Sequence, residues 1–127
     1  MLKIEIIEDD KTTRRIIKLL LHKNFNCTLF EARNGKEGLE IMLKEKPDIV
    51  LLDLAMPVMD GLKVLQTKQR IPNLKKIPVL IVTALGQEAL VEQCLGLGAK
   101  NYILKPFSSQ EMVERIHKVI QKHIKRN

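Results

Sequence analysis

Aromatic residues are scarce in this 127-residue chain: they make up 3%, with no Trp, one Tyr and three Phe. That leaves little material for a base-stacking surface. Cysteine is also sparse. Cys27 and Cys94 lie far apart and outside any C-x-x-C pattern, so both are expected as reduced core residues rather than as a disulfide. No apolar run reaches membrane-spanning length, and Lys3, Glu5 and Glu8 interrupt Met1–Asp10 before any signal-peptide core can form. A cytoplasmic chain with no membrane partner is therefore expected. There is no G-x-x-x-x-G-K loop, so a tightly held nucleoside triphosphate is not expected. His22, His117 and His123 lack metal-ligand spacing. Internal repeats, low-complexity tracts and long linkers are missing too, which leaves one compact domain over 1–127.

What is abundant is apolar and basic. Hydrophobic residues at 45% supply a core, and the formal net charge is +7. The cations gather at Lys63, Lys68, Arg70, Lys75 and Lys76, and again at Arg115, Lys118, Lys122, Lys125 and Arg126. With no nucleic-acid-binding motif beside them, they read as solvated helix faces, the second group suiting the negative end of a helix dipole. Nucleic acid is not expected as a partner.

Five short apolar runs alternate with helix-patterned segments. Leu2–Ile7, Cys27–Ala32, Ile49–Leu52, Val79–Val82 and Tyr102–Leu104 read as strands. Two of them, Ile49–Leu52 and Val79–Val82, contain no polar residue, as suits strands covered on both faces. Between the strands, Thr12–Lys23 shows an apolar face of Ile16, Ile17, Leu20 and Leu21. Lys36–Glu45 follows the Asn34-Gly35 turn with Leu39, Met42 and Leu43 inward. A short helix carries Leu62 and Leu65, and Glu88–Leu97 is closed by Gly96 and Gly98. Ser108 and Glu111 offer a capping box for a last helix with Met112, Ile116, Val119, Ile120 and Ile124 on one face. Repeated β-α pairs of this length imply right-handed crossovers and a doubly wound α/β sandwich with a five-stranded parallel sheet.

In such a sheet, sites form beyond the carboxyl ends of the strands. Glu8, Asp9 and Asp10 follow the first strand, Asp53 the third, Thr83 the fourth and Lys105 the fifth. Taken singly, each has a plain structural reading: a helix cap, a packed hydroxyl, a solvated amine. Their coincidence at every central strand end points to one site. Clustered carboxylates raise one another's proton affinity and favour a cation, and Mg²⁺ prefers such hard oxygen ligands together with phosphate oxygens. The pocket suits a phosphoryl group, with a carboxylate as its acceptor.

The same residues resemble the response-regulator receiver family of two-component signalling along the whole chain. The resemblance lies in Ile6-Ile7-Glu8-Asp9-Asp10, Leu51 to Gly61 (LLDLAMPVMDG), Ile81-Val82-Thr83-Ala84 and Tyr102-Ile103-Leu104-Lys105-Pro106-Phe107. It implies a flavodoxin-like (βα)5 fold with strand order 2-1-3-4-5. It also implies Asp53 as phosphoacceptor, with Mg²⁺, or Mn²⁺ as a substitute, held by Asp9, Asp53 and the backbone carbonyl of Ala55, and by Glu8 through a water. Thr83 and Lys105 would each take a phosphoryl oxygen, while small Ala84 leaves room for the group to enter. Asp10, one place beyond the acidic pair, reads chiefly as the first helix's N-cap. The Lys105–Pro106 bond is expected to be cis. Thr83 and Tyr102 would form the switch. The fourth helix, fifth strand and fifth helix would form the readout face, with Val91, Leu95, Lys100, Tyr102 and Lys118 as its candidates.

The implied partners are a sensor histidine kinase or histidine phosphotransfer protein and a downstream target. The chain would act as a monomer or a phosphorylation-dependent dimer. It would catalyse only its own phosphorylation and dephosphorylation. Lys100-Asn101 stands where many winged-helix regulators of the family carry an acidic pair, which argues against their dimerisation mode. A single receiver without an output domain is expected, whether free-standing or part of a longer regulator or hybrid kinase. A receiver-like module that is never phosphorylated would be expected to lack one of the site residues, yet all are present. An Asp-nucleophile phosphatase would want a second Asp at position 55, where Ala stands. Ala55 and Leu85, both apolar, should assist a hydrolytic water poorly, so a long-lived phospho-Asp53 is expected.

Overall fold

A computed structural model describes residues 1–124; Lys125 and Arg126 of the C-terminal basic cluster lie outside the described residues. The strands are β1 (Leu2–Ile7), β2 (Cys27–Ala32), β3 (Ile49–Leu52), β4 (Val79–Thr83) and β5 (Asn101–Leu104). The helices are α1 (Lys11–Asn24), α2 (Gly35–Glu45), α3 (Gly61–Gln69), α4 (Pro72–Lys75), α5 (Glu88–Gly96) and α6 (Ser109–His123). All strand pairs are parallel, in the order β2-β1-β3-β4-β5. This is the expected doubly wound, flavodoxin-like sheet. No helix among the described residues is long and apolar enough to cross a membrane.

Alternation along each strand splits the core in two. Ile4, Ile6, Ile49, Leu51, Leu80 and Val82 pack with Ile17, Leu20 and Leu21 of α1 and with Met112, Ile116, Val119 and Ile120 of α6. Ile7, Val50, Leu52, Val79 and Ile81 pack on the other face with Leu39 and Met42 of α2, Val64 and Leu65 of α3, and Cys94 of α5. Each fully buried aliphatic side chain contributes about 1.5–3 kcal/mol, so both layers hold the central strands firmly. Glu5 interrupts the pattern. It is fully buried in mid-strand, and neither carboxyl oxygen has a hydrogen-bond partner among the described residues.

Several local expectations are corrected. Ile16 and Leu43 are 52% and 48% exposed. One residue turns a helix by about 100°, and Ile17 and Met42 already hold the inward positions. Lys68 is only 3% exposed rather than solvated, and its ammonium donates to the Lys75 carbonyl at 3.0 Å, closing the end of α4. That short helix, with Pro72 in its first turn, was not anticipated, and it makes the readout elements α5, β5 and α6. Asn34 caps α2 through the Glu37 N–H rather than only turning the chain. Ser108 caps α6 as expected, but Glu111 pairs with Arg115 at 3.5 Å instead of reaching back. Ile124 is the extended C-cap, half-buried against the α1–α6 core. Both cysteines are free thiols.

Candidate functional site

Sheet register gathers the site. Ile7 stands beside Leu52, Leu52 beside Ile81, and Ile81 beside Tyr102. The ladder runs one residue further: Asp53 N–H donates to the Ile7 carbonyl at 3.0 Å, and Lys105 N–H to the Thr83 carbonyl at 2.8 Å. Residues following distant strands are thereby fixed by backbone bonds rather than by loop flexibility.

Glu8, Asp53 and Thr83 are buried and Asp9 is exposed. One oxygen from each of Glu8, Asp9 and Asp53 lies within 4.8 Å of the others. The Lys105 ammonium sits 2.5 Å from Glu8 Oε1 and 3.3 Å from Asp53 Oδ2. The peptide bond after Lys105 is cis. Ala55 is exposed, and its N–H donates to Asp53 Oδ1 at 3.3 Å. Ala84 is exposed and small beside Thr83. Glu8 spends its second oxygen on the Asp10 N–H at 3.1 Å. Asp10 itself is turned away as the cap of α1, accepting the Thr13 N–H at 2.9 Å, as its capping preference suggested.

Burial drives the Glu8 carboxyl up to about 7, and the charge of Asp53 pushes the same way; the bonds from Lys105 and the Asp10 N–H act against them. For Lys105, burial lowers the proton affinity, but the Glu8 hydrogen bond and the Asp53 charge outweigh it and hold the ammonium above its usual value. The ammonium is therefore a firm positive charge inside an acidic pocket. The carboxylate oxygens of Glu8, Asp9 and Asp53, with the Lys105 ammonium among them, form a set that fits Mg²⁺, which takes few protein carboxylates and leaves positions for phosphate oxygens.

Close packing supports the backbone at Asp53. A Cβ on Gly61 would lie 2.3 Å from the Asp53 carbonyl oxygen and 2.8 Å from Leu54 Cα, so only glycine lets α3 start against the backbone of Asp53. Asp60 caps that helix through the Lys63 N–H at 2.9 Å. Two contributions escaped the sequence reading. Arg14, half-buried one turn into α1, donates to the backbone carbonyls of Glu8 at 2.8 Å and Asp9 at 3.2 Å, clamping the acidic loop; Glu31 anchors it at 3.3 Å. Its position one turn past the acidic pair was the available signal. The second is the backbone of Leu85, which receives the Tyr102 hydroxyl on its carbonyl and gives its N–H to Thr83 Oγ1 at 3.4 Å.

Comparison with known proteins places this geometry. A family model described as the response regulator receiver domain matches residues 4–117. The chemotaxis protein CheY of Thermotoga maritima is 35% identical over 118 residues, covering 92% of this chain and 96% of that protein. The transcriptional regulatory protein ResD of Bacillus subtilis is 35% identical over 120 residues, which are 94% of this chain but 48% of ResD. Among solved structures, a response regulator from Chloroflexus aurantiacus superposes with a TM-score of 0.88 at 28% identity, covering 95% of this chain and 98% of that one.

Proposed function

The chain belongs to the response regulator receiver family of two-component signalling, and from that membership we propose that it is a phosphorylation-dependent switch with Asp53 as acceptor. In this reading residues 1–127 act as one receiver domain in the cytoplasm. The phosphoryl donor is a phosphohistidine on a sensor kinase or a histidine phosphotransfer protein. An Asp53 carboxylate oxygen attacks phosphorus in line, the P–N bond breaks, and the imidazole leaves with the bonding pair. The product is an acyl phosphate on Asp53.

Asp9, Asp53 and the Ala55 carbonyl, with Glu8 through a water, would hold Mg²⁺, which would neutralise charge around the carboxylate and phosphoryl oxygens when bound. Every other contribution comes from the chain. Lys105 is already ion-paired with the acceptor and needs only to exchange a carboxylate for a phosphoryl oxygen. Thr83 is buried beside the acceptor with a hydroxyl able to donate to another oxygen. When it does so, the bond that Thr83 Oγ1 accepts from Leu85 is weakened and the Tyr102 hydroxyl loses its fixed partner. The α5–β5–α6 face, where Leu95, Lys100 and Lys118 are exposed and Val91 and Tyr102 half-buried, changes with it.

The observation that most supports this reading is the Lys105 ammonium lying between Glu8 and Asp53, with Asp9 completing the acidic group. Incubation with acetyl phosphate and Mg²⁺, followed by intact mass, tests it. A single phosphoryl adduct that Asp53→Asn abolishes is expected. The absence of any adduct, or steady release of phosphate from added esters, would overturn it.

A further inference from the structure

At the pole opposite the acidic pocket, a groove of about 390 Å³ opens between the start of β5 and the last turns of α6. Its lining includes Lys100, Asn101, Lys118, Gln121, Lys122 and His123, with no carboxylate. Cations at a helix C-terminus complement the dipole, which accounts for Lys122 and His123. It does not account for Lys100, which arrives from the segment before β5. None of Lys100, Lys118 and Lys122 has an ion-pair partner among the described residues, although Arg115, Lys18 and Lys105 elsewhere on the fold all do.

Their repulsion is felt by other groups. Partial burial and then the charges of Lys100 and Lys122 hold His123 below its ordinary proton affinity. Burial and then Lys100 bring Lys68 down to about 8. A local excess of positive charge is thus left unrelieved within the fold.

Asn101 adds a directed donor. Its carboxamide oxygen accepts from Arg115 Nη1 at 2.7 Å and from the Tyr102 N–H at 2.8 Å. Those two bonds orient the amide, and its NH2 group makes no hydrogen bond among the described residues. Arg115 also takes the Tyr102 carbonyl at 2.8 Å. The outer edge of β5 is therefore capped at Tyr102, and a partner adding a strand there would find its first bonds taken.

We propose that this groove docks an acidic segment of a partner protein, its carboxylates received by Lys100, Lys118, Lys122 and the Asn101 amide. Charge complementarity selects the occupant. A nucleic acid fits less well: the lining has no Phe, Tyr or Trp for base stacking, and the site is a short concavity rather than an extended basic track. That the acidic segment belongs to the signal's target rests on the switch reading above, because the groove lies on the proposed readout face. The groove's preference for carboxylates does not depend on it.

Titration of the unphosphorylated chain with an alternating Asp-Glu peptide, followed by amide chemical shifts, separates the two. Saturable shifts centred on Lys100, Asn101, Gln121 and Lys122 are expected. Raising salt from about 50 to about 200 mM should weaken them. Lys118→Glu with Lys122→Glu should cost about tenfold or more in affinity, while Lys63→Glu, an exposed change on α3, should leave it unaltered. Shifts spread evenly over all basic surfaces, equal binding by the reversed-charge variant, or tighter binding of a single-stranded oligothymidylate at the same amides would each overturn the proposal. Asp53→Asn should bind the peptide normally. A wild-type chain that takes no phosphoryl group from acetyl phosphate but still binds the peptide would defeat the switch and spare the groove.

Discussion

Thr83 and Tyr102 hold one residue of the β4–α5 loop from both sides: Thr83 Oγ1 accepts the Leu85 N–H at 3.4 Å, and the Tyr102 hydroxyl donates to the Leu85 carbonyl. Thr83 is fully buried at the end of β4, the strand next to β3 that leads into Asp53, whereas Tyr102 lies half-buried on β5. In the proposed switch a displacement of the threonine hydroxyl would reach the tyrosine through a single peptide unit, with no long chain of contacts.

Tyr102→Phe removes one of the two ties and keeps the ring. Its expected cost is about 1 kcal/mol of stability, the usual worth of a half-buried hydrogen bond. The informative readout is local. Hydrogen exchange at the Leu85 amide should accelerate relative to the wild-type chain, while amides of β1 and β3 stay protected. Unchanged protection at Leu85 would mean that the hydroxyl does not restrain the loop.

The acidic group offers a second comparison. In the proposed site Asp9 touches the ion directly and Glu8 acts through a water, and both Glu8 oxygens are already engaged, by Lys105 and by the Asp10 N–H. Asp9→Asn should then weaken Mg²⁺ binding by about tenfold or more, roughly the 1.4 kcal/mol expected for a lost charged ligand. Glu8→Gln should cost less. Calorimetric titration with Mg²⁺ measures both, and the reverse ranking would exchange their roles.

Much of this was open to a reader of the sequence, for identifiable reasons. Ile49–Leu52 and Val79–Val82 are apolar throughout because both faces are covered, so the central strands and the site residues just past them stand out. What stayed hidden are features that side-chain type does not encode. The Leu85 link uses backbone groups that every residue carries. Val58 adopts φ 68 inside a turn closed by Met59 N–H to the Pro57 carbonyl at 2.7 Å, a conformation that a β-branched residue rarely accepts and that the surrounding loop imposes. Lys68 looked like one more surface cation; the α4 carbonyl that receives it comes from a helix too short to leave a periodic signal.

Glu5 gives the chain a pH dependence that its site does not explain. Burial, with the charge of Glu37 adding to it, raises the carboxyl from its ordinary 4.5 to about 9. Between those values the folded chain keeps a proton that the unfolded chain has lost. Its contribution is therefore intact below pH 4.5 and declines as pH rises toward 9, by about 1.4 kcal/mol per pH unit at most. Glu5→Leu replaces an unpartnered buried carboxyl with an apolar group of similar bulk. It should raise stability at pH 8 by about 1–3 kcal/mol and flatten the curve across that window. Urea denaturation at several pH values checks this, and parallel curves for the two proteins would show that Glu5 finds a partner in solution.

The lifetime of phospho-Asp53 follows from what flanks it. Hydrolysis of the acyl phosphate needs a water held in line with phosphorus, opposite the Asp53 oxygen, and a polar side chain able to orient that water or take its proton. Positions 55 and 85 are two residues past Asp53 and Thr83 at the mouth of the pocket. Ala55 is exposed and has no functional group, while the Leu85 side chain is half-buried against the core around α2, α3 and α5. The peptide of Leu85 is also tied at both ends, by Thr83 and by Tyr102, and neither tie offers a base to a water in front of phosphorus. In the proposed phosphorylated site Lys105 and Thr83 would each hold a phosphoryl oxygen, which leaves neither to orient the attacking water. The phosphorylated chain, freed of excess donor and held with Mg²⁺, is therefore expected to decay over minutes or longer, on the slow side for its family. Ala55→Gln places an amide where it can orient the water and should shorten that lifetime by about tenfold or more. A wild-type lifetime of seconds, or a variant that decays no faster, would mean that another group at the pocket mouth positions the water.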